Sequence, residues 1–262
     1  TLSVELSDAT QAVKEGRFED ALNLLKVLLK ENPNHTDILY LSAVSTRFLK
    51  KFDDSRKHIE HLLINAPDMG RAYQELGHLN RDMGHEEKAV MHYRQACELN
   101  PALPSSWNYL HKYFEKIQNK PAADHALEQI KKLQSLPGLL LFIEQILNEG
   151  RLGLAETKCR AFLKENPTHT YAMSLLAEIA NRFGYFDDAE FLLQKAVEFK
   201  PQDGDLRLKY ASILRKKQKF AKTSEQLNIL CSQFPDNLNY QAQKASDVMQ
   251  SGDHAKAITT GE

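Results

Sequence analysis

Chemistry in this chain of 262 residues would have to come from a few scattered side chains. His58 and His61 stand three apart, and His92 follows His58 by one period of the repeat described below, a spacing that could present imidazoles to a metal. No cysteine or carboxylate at ligand spacing completes such a site, so the three read as exposed surface histidines. Asp53-Asp54 and Asp187-Asp188 resemble paired carboxylates for acid-base work. Each pair opens an amphipathic stretch of helical period, where acids favour the positive end of the helix dipole and cap free amides, and capping is the expectation. The phosphate loop GxxxxGKS/T, the nucleophile elbow GxSxG and the zinc motif HExxH are all absent. Gly150-Arg151-Leu152-Gly153 matches a GxxG loop but falls where a turn between helices belongs. Cys97, Cys159 and Cys231 are odd in number and far apart, which suits reduced, buried thiols rather than disulfides or zinc. No catalytic residue, metal site or cofactor follows from these residues.

Composition points the same way. Lys and Arg number 34 against 35 Asp and Glu, a net charge of −1, so no global field draws nucleic acid or an acidic membrane. Apolar residues make up 42% and charged residues 26%, while 11 Gly and 9 Pro leave little room for disordered linkers. No apolar run reaches the roughly 18 residues of a membrane span, and the start Thr1-Leu2-Ser3-Val4-Glu5 lacks the blocks of a signal peptide. A cytoplasmic location is expected, with an upstream segment removed, since the chain does not begin with Met.

The elements that must position any site are set by an internal period. Pro33, Pro67 and Pro101 are spaced 34 residues apart, and Pro167, Pro201 and Pro235 repeat that spacing. With each proline at position 32, the units run 2–35, 36–69, 70–103, 104–135, 136–169, 170–203, 204–237 and 238–262. Position 8 then reads Ala9, Ala43, Gly77, His111, Ile143, Ala177, Ala211 and Ala245. Position 20 reads Ala21, Ser55, Ala89, Ala123, Ala155, Ala189, Thr223 and Ala257. Small residues at both positions let two helices touch. Gly16, Gly84, Gly150, Gly184 and Gly252 fall at position 15, where a tight turn needs positive φ. Asn32-Pro33, Asn100-Pro101 and Asn166-Pro167 stop the second helices. Apolar residues recur at i, i+3, i+4 and i+7, as in Ala189, Leu192, Leu193, Ala196 and Val197.

This pattern, and the run Glu87-Lys88-Ala89-Val90-Met91-His92-Tyr93-Arg94-Gln95-Ala96-Cys97-Glu98-Leu99-Asn100-Pro101 above all, resembles the tetratricopeptide repeat family. The resemblance implies an all-α, right-handed solenoid of antiparallel helix pairs: repeats 1–3 over residues 1–103, an irregular repeat 4 over 104–135, repeats 5–7 over 136–237 and a truncated repeat 8 over 238–262. It also implies that Trp107 and Tyr73 are packing residues, and that positions 2, 5, 9 and 12 of first helices line a concave groove. Those positions carry Tyr40, Val44 and Arg47; Arg71, Gln74, His78 and Arg81; Asn108 and Lys112; Leu140 and Glu144; Tyr171, Ser174 and Glu178; Leu208, Ser212 and Arg215. The N-terminal half of that groove reads as basic, and an acidic segment of a partner would lie along Arg47, Arg71, Arg81 and Lys112.

Two further resemblances are disfavoured, one by particular residues and one by repeat length and charge. Family members that hold a chaperone's terminal carboxylate use Lys and Asn at positions 5 and 9, where this chain has Leu6 and Thr10, Tyr40 and Val44, Gln74 and His78. Pentatricopeptide-type RNA readers have longer, basic repeats. Other motifs, Asn148-Glu149-Gly150-Arg151, Leu175 through Gly184, Asp187 through Leu193 and Tyr210 through Arg215, are similar to the repeat array that precedes a sulfotransferase domain in certain bacterial proteins. That resemblance would put catalysis in a domain beyond Glu262. The absence of a polar cap after Ala257, with the chain ending Thr259-Thr260-Gly261-Glu262, fits a fragment with more sequence following.

One first helix is anomalous. Leu139, Leu140, Leu141, Phe142, Ile143, Ile146 and Leu147 make it apolar round most of its circumference, which requires burial on more than one side. Tight packing in a kinked array is the leading expectation, and contact with a partner or a second copy of the chain the other. The overall expectation is a protein-interaction scaffold that holds a peptide or protein segment in its groove and is not itself an enzyme, with a module of a larger sulfotransferase as the alternative.

Overall fold

Small residues, tight turns and proline stops at fixed register produce stacked helical hairpins. The computed structural model describes the backbone of residues 2–259 and the side chains of residues 2–252; Ala257 therefore lies outside the described side chains, and Thr1 and residues 260–262 outside the described residues altogether. Over the described residues the chain is all helix and contains no strand. It divides into two compact units, Thr1–Glu149 and Gly150–Glu262.

The first unit holds α1 (Leu2–Lys14), α2 (Phe18–Glu31), α3 (Thr36–Phe48), α4 (Phe52–Asn65), α5 (Gly70–Asp82), α6 (Glu86–Leu99), α7 (Pro104–Lys116), α8 (Lys120–Gln134) and α9 (Gly138–Asn148). Its hairpins are α1–α2, α3–α4, α5–α6 and α7–α8, each stacked on the next through its second helix. The second unit holds α10 (Leu152–Glu165), α11 (Thr170–Phe183), α12 (Phe186–Phe199), α13 (Gly204–Lys216), α14 (Phe220–Gln233) and α15 (Leu238–Thr259). There α10 packs on α11, the hairpins α11–α12 and α13–α14 stack, and α14 packs on α15.

Position 8 meets position 20 inside each hairpin, as expected. Ala9, Ala21, Ala43, Ser55, Ala89, Ala189 and Thr223 are all fully buried. A Cβ added to Gly77 would stand 2.8 Å from the Tyr93 ring, so only glycine fits there. Two polar exceptions are accommodated by hydrogen bonds across the same contact, Ser55 Oγ donating to the Ala43 carbonyl at 2.9 Å and His111 Nδ1 lying 3.0 Å from the Ala123 carbonyl, while Thr223 Oγ1 donates to the Lys219 carbonyl of its own hairpin at 3.1 Å. The tight turns all take positive φ at position 15, through Gly16, Gly84, Gly150 and Gly184 but also through Lys50, Gln118 and Gln218. A second rung ties repeats together. Position 4 donates to the carbonyl of the preceding position-32 proline, from Tyr73 to Pro67, Trp107 to Pro101, Arg207 to Pro201 and Gln241 to Pro235. Tyr73 and Trp107 are thus half-buried packing residues.

Three expectations change. Gly252 does not turn the chain, because α15 runs unbroken from Leu238 to Thr259, and Ala245 is accordingly exposed at a position that a paired second helix would cover. His58, His61 and His92 are half-buried rather than exposed, with burial pushing the imidazoles of His58 and His92 below the usual histidine range. The acid pairs stand in the first turns of α4 and α12, where the helix dipole favours them as expected, but the N-cap residues Lys51 and Tyr185 make no side-chain cap and Asp187 is bound by the Lys217 ammonium.

Candidate functional site

In the first unit the anomalous helix decides what the groove can do. Unlike α3, α5 and α7, α9 does not stack closely on the second helix before it. It buries Leu140, Ile143, Ile146 and Leu147 almost completely and leaves Leu139 and Phe142 about 40% exposed. Its C-terminal end is read by polar side chains of earlier repeats. Asn100, itself fully buried, donates to the Gln145 carbonyl at 3.1 Å and accepts from Asn148 at 3.2 Å, while the Gln145 amide donates to the Ala102 carbonyl at 2.8 Å. Arg71 grips the Glu149 carboxylate through two nitrogens, approaches Asp37 at 3.5 Å and stacks over the Tyr40 ring at 4.6 Å.

The acidic segment expected along Arg71 therefore comes from the chain itself. Four large apolar side chains contribute about 1.5–3 kcal/mol each on burial, so α9 is a fixed part of this unit and not a loosely held peptide. Leu140, expected in the groove, is core.

The other two groove arginines of this half are neutralised too, which leaves Lys112 as the one basic residue of the expected set without an acid partner among the described residues. Arg47 is 5% exposed and bonds Glu75 and Asp82, with its guanidinium 4.4 Å over the Phe48 ring. Burial raises the Glu75 carboxyl above its ordinary value although Arg47 opposes it. Arg81 turns onto Asp82 at 2.7 Å. Gln74 accepts from Ser106 at 2.8 Å, and Tyr40 is pushed up to about 12 by burial and then by Glu75. His78 is driven down to about 3 by burial, Arg47 and Arg81. Asn108 and Lys112 remain exposed, and Glu144 is half-buried. Sequence reading missed Glu75, Asp82, Asn100 and Glu149, whose signal is their place one repeat or more after a groove arginine.

The second unit is different. Between α11 and α13 lies a cavity of about 210 Å³ lined by Ser174, Glu178, Leu208 and Ser212, all read from the sequence as groove positions, and by Ala177, Asn181, Leu193, Lys209, Ile213 and Lys216. Glu178 accepts from Arg182 at 2.8 Å. Tyr171 is half-buried on α11. Arg215 does not join the cavity; it faces Asp247 of α15 at 3.6 Å, a carboxylate only 2% exposed that also accepts from Ser224 at 2.6 Å. Phe183 and Tyr185, stacked at 5.7 Å, and Phe186 are exposed aromatics at the end of α11 and the start of α12.

Reactive groups are absent from these surfaces. Cys97, Cys159 and Cys231 are buried free thiols, and burial raises Cys97 to about 12 and Cys159 to about 11, values that suppress the nucleophilic thiolate. Among the described residues no three His, Cys, Asp or Glu side chains come together as a metal site, and no helix is long and apolar enough to cross a membrane.

Family models agree with this architecture over the N-terminal repeats. Two models of the tetratricopeptide repeat match, one over residues 12–78 and one over 70–103. No curated protein matches the chain. Similar solved structures include a thermophilic TPR protein from Thermus thermophilus, 17% identical, covering 95% of this chain and 100% of that one with a TM-score of 0.37. A tetratricopeptide repeat protein from Parabacteroides merdae is 13% identical over 94% of this chain and 98% of its own, with a TM-score of 0.42. The C-terminal part of a TPR repeat-containing protein from Cytophaga hutchinsonii is 16% identical over 90% and 98%, with a TM-score of 0.40.

Proposed function

We propose that this chain, whose residues 12–103 match the tetratricopeptide repeat, is a protein-interaction scaffold of that family and that the groove between α11 and α13 of its second unit holds a peptide or protein segment. The observation that carries this reading is the contrast between the two concave faces. In the first unit α9 and carboxylates of the same chain occupy the groove arginines, whereas the α11–α13 cavity is open and has an apolar floor of Ala177, Leu193 and Ile213 beneath a polar rim. A binding cleft needs that combination, with apolar burial for affinity and polar groups for orientation. We assign the chain no catalytic role.

The test is capture of binding partners by the wild-type chain, by Ser212→Trp and by Arg81→Glu. Ser212 is exposed on the rim, so the indole fills the cavity without disturbing the core. Loss of the captured partners with Ser212→Trp and retention with Arg81→Glu is the expected result; the reverse pattern would reject this groove. The alternative, a non-catalytic module ahead of a sulfotransferase domain, has only the motif resemblance as support. A reading frame continuing into an α/β segment with a Gly- and Ser/Thr-bearing phosphate loop would favour it, and a stop codon directly after a capping helix would end it.

A further inference from the structure

Two lysines of α13 reach across the open cavity to α11. Lys209 Nζ lies 3.5 Å from Ser174 Oγ, and Lys216 Nζ donates to Asn181 Oδ1 at 2.8 Å. Ser174 and Asn181 are seven residues apart on one helix, as Lys209 and Lys216 are on the other, so these are two equivalent rungs. Neither ammonium has a carboxylate at ion-pair distance among the described residues; Lys209 meets Ser174 alone, Lys216 meets Asn181 and lies 5.9 Å from the Phe186 ring centroid, and each keeps donors to spare. Glu178, the one acid lining the cavity, is already bound by Arg182.

The same two register positions in the first unit show what is missing. Positions 6 and 13 of repeat 3 carry Glu75 and Asp82, and position 12 of the preceding repeat supplies Arg47 to both. In repeat 7, positions 6 and 13 carry Lys209 and Lys216, and repeat 6 answers from positions 5 and 12 with Ser174 and Asn181, which have no charge. The first pair of repeats closes its own charge balance. The second leaves two cations at the rim of an apolar cavity, a place for two carboxylates from outside the described chain.

Spacing then selects the shape of the segment. The rungs are about 10 Å apart, seven residues at about 1.5 Å each. A polyproline II segment rises about 3.1 Å per residue with three residues per turn, so acids at i and i+3 share one face about 9 Å apart. In a β-strand the same two residues point to opposite faces. A helix would need acids at i and i+7 and is about 10 Å wide, too broad for a cavity of about 210 Å³ between two helices. We infer that the α11–α13 groove takes an acidic segment in extended polyproline II conformation whose two carboxylates, three residues apart, pair with Lys209 and Lys216. This inference rests on the proposed groove reading and goes beyond it in naming the partner's charge, conformation and spacing.

The test uses the full chain and three fluorescent peptides: a proline-rich peptide with Asp-Pro-Pro-Asp at its centre, its Asn-Pro-Pro-Asn counterpart and a stapled helical peptide with acids seven apart. Binding is measured by polarisation at low and high salt. The Asp-Pro-Pro-Asp peptide is expected to bind, to weaken as salt rises, and to weaken about tenfold with Lys209→Gln and again with Lys216→Gln, while Asn-Pro-Pro-Asn does not bind. Both lysines are exposed, so both variants are expected to melt as the wild type does. Binding of the helical peptide instead, abolished by Ser212→Trp, would overturn the spacing and leave the groove reading standing. Binding of any peptide that ignores Ser212→Trp and both lysine variants would overturn both, and no binding by any of the three would overturn the inference.

Discussion

Acid should unlock the first unit at His78. Its Nδ1 lies 2.5 Å from the Tyr93 hydroxyl and 3.4 Å from an Arg81 nitrogen, and both are donors towards it, so Nδ1 accepts and the ring is neutral. Burial contributes most to that preference, then Arg47 of α3 and Arg81 of α5, with only Asp82 opposing, and together they bring the imidazole down to about 3. In the unfolded chain the same group titrates near about 6.5. Between those values the unfolded state binds a proton that the folded state refuses, so stability falls as pH drops through the interval. From about pH 7 to about pH 5 this one group removes about 2 kcal/mol. His78→Gln keeps an acceptor for Tyr93 and cannot titrate. Because repeat arrays need not unfold in one step, the measurement is native-state hydrogen exchange of α5 and α6 amides, corrected for intrinsic rates, across that pH range. The wild type should lose about 2 kcal/mol more protection than His78→Gln. Equal slopes for the two proteins would refute the buried, neutral histidine.

The other structural predictions follow from single contacts. Arg71→Met strands the Glu149 carboxylate, which is 5% exposed, and should lower hydrogen-exchange protection of α9 by about 3 kcal/mol, with the double variant Arg71→Met/Glu149→Leu recovering most of it; unchanged protection in the single variant would show that the pair does not hold the helix. Gly77→Ala drives a methyl to 2.8 Å from the Tyr93 ring and should cost about 1–3 kcal/mol, seen as a lower urea midpoint for α5 and α6.

Helix boundaries and hairpin contacts were legible because repetition samples each position several times. Ala, Gly or Ser at positions 8 and 20 announced the contact even where His111 broke the rule, and its hydrogen bond to the Ala123 carbonyl shows why the exception is tolerated. The turns were legible only in part. Lys50, Gln118 and Gln218 adopt the same positive φ as the glycines, and their side chains give no local sign of it; register alone places them. The continuous α15 was hidden by the same reasoning in reverse, since Gly252 sits at a turn position but no second helix covers Ala245 to make a turn favourable.

The first-helix positions expected to bind an acidic segment differ in what they meet in the folded chain. Positions 5 and 9 of repeats 6 and 7 do line the α11–α13 cavity through Ser174, Glu178, Leu208 and Ser212. Availability, however, depends on positions 6 and 13 of the following repeat, which the concave-face pattern leaves out. Arg47 looks like a docking cation until Glu75 and Asp82 are placed beside it, and Arg71 until Glu149 arrives from a residue 78 positions away. A local pattern cannot report a partner at that separation, because the approach depends on α9 leaving the regular stack. The converse holds for Lys209 and Lys216: at positions outside the concave-face pattern, they carry the only ammonium groups lining this cavity. Each has met a neutral side chain in place of an acid. A cation with a neutral partner binds an incoming carboxylate more strongly than one already paired, since no internal ion pair has to break first. On the proposed reading, docking chemistry is set by which arginines and lysines the fold leaves without an acid, and the tally of basic residues in each half does not reveal it.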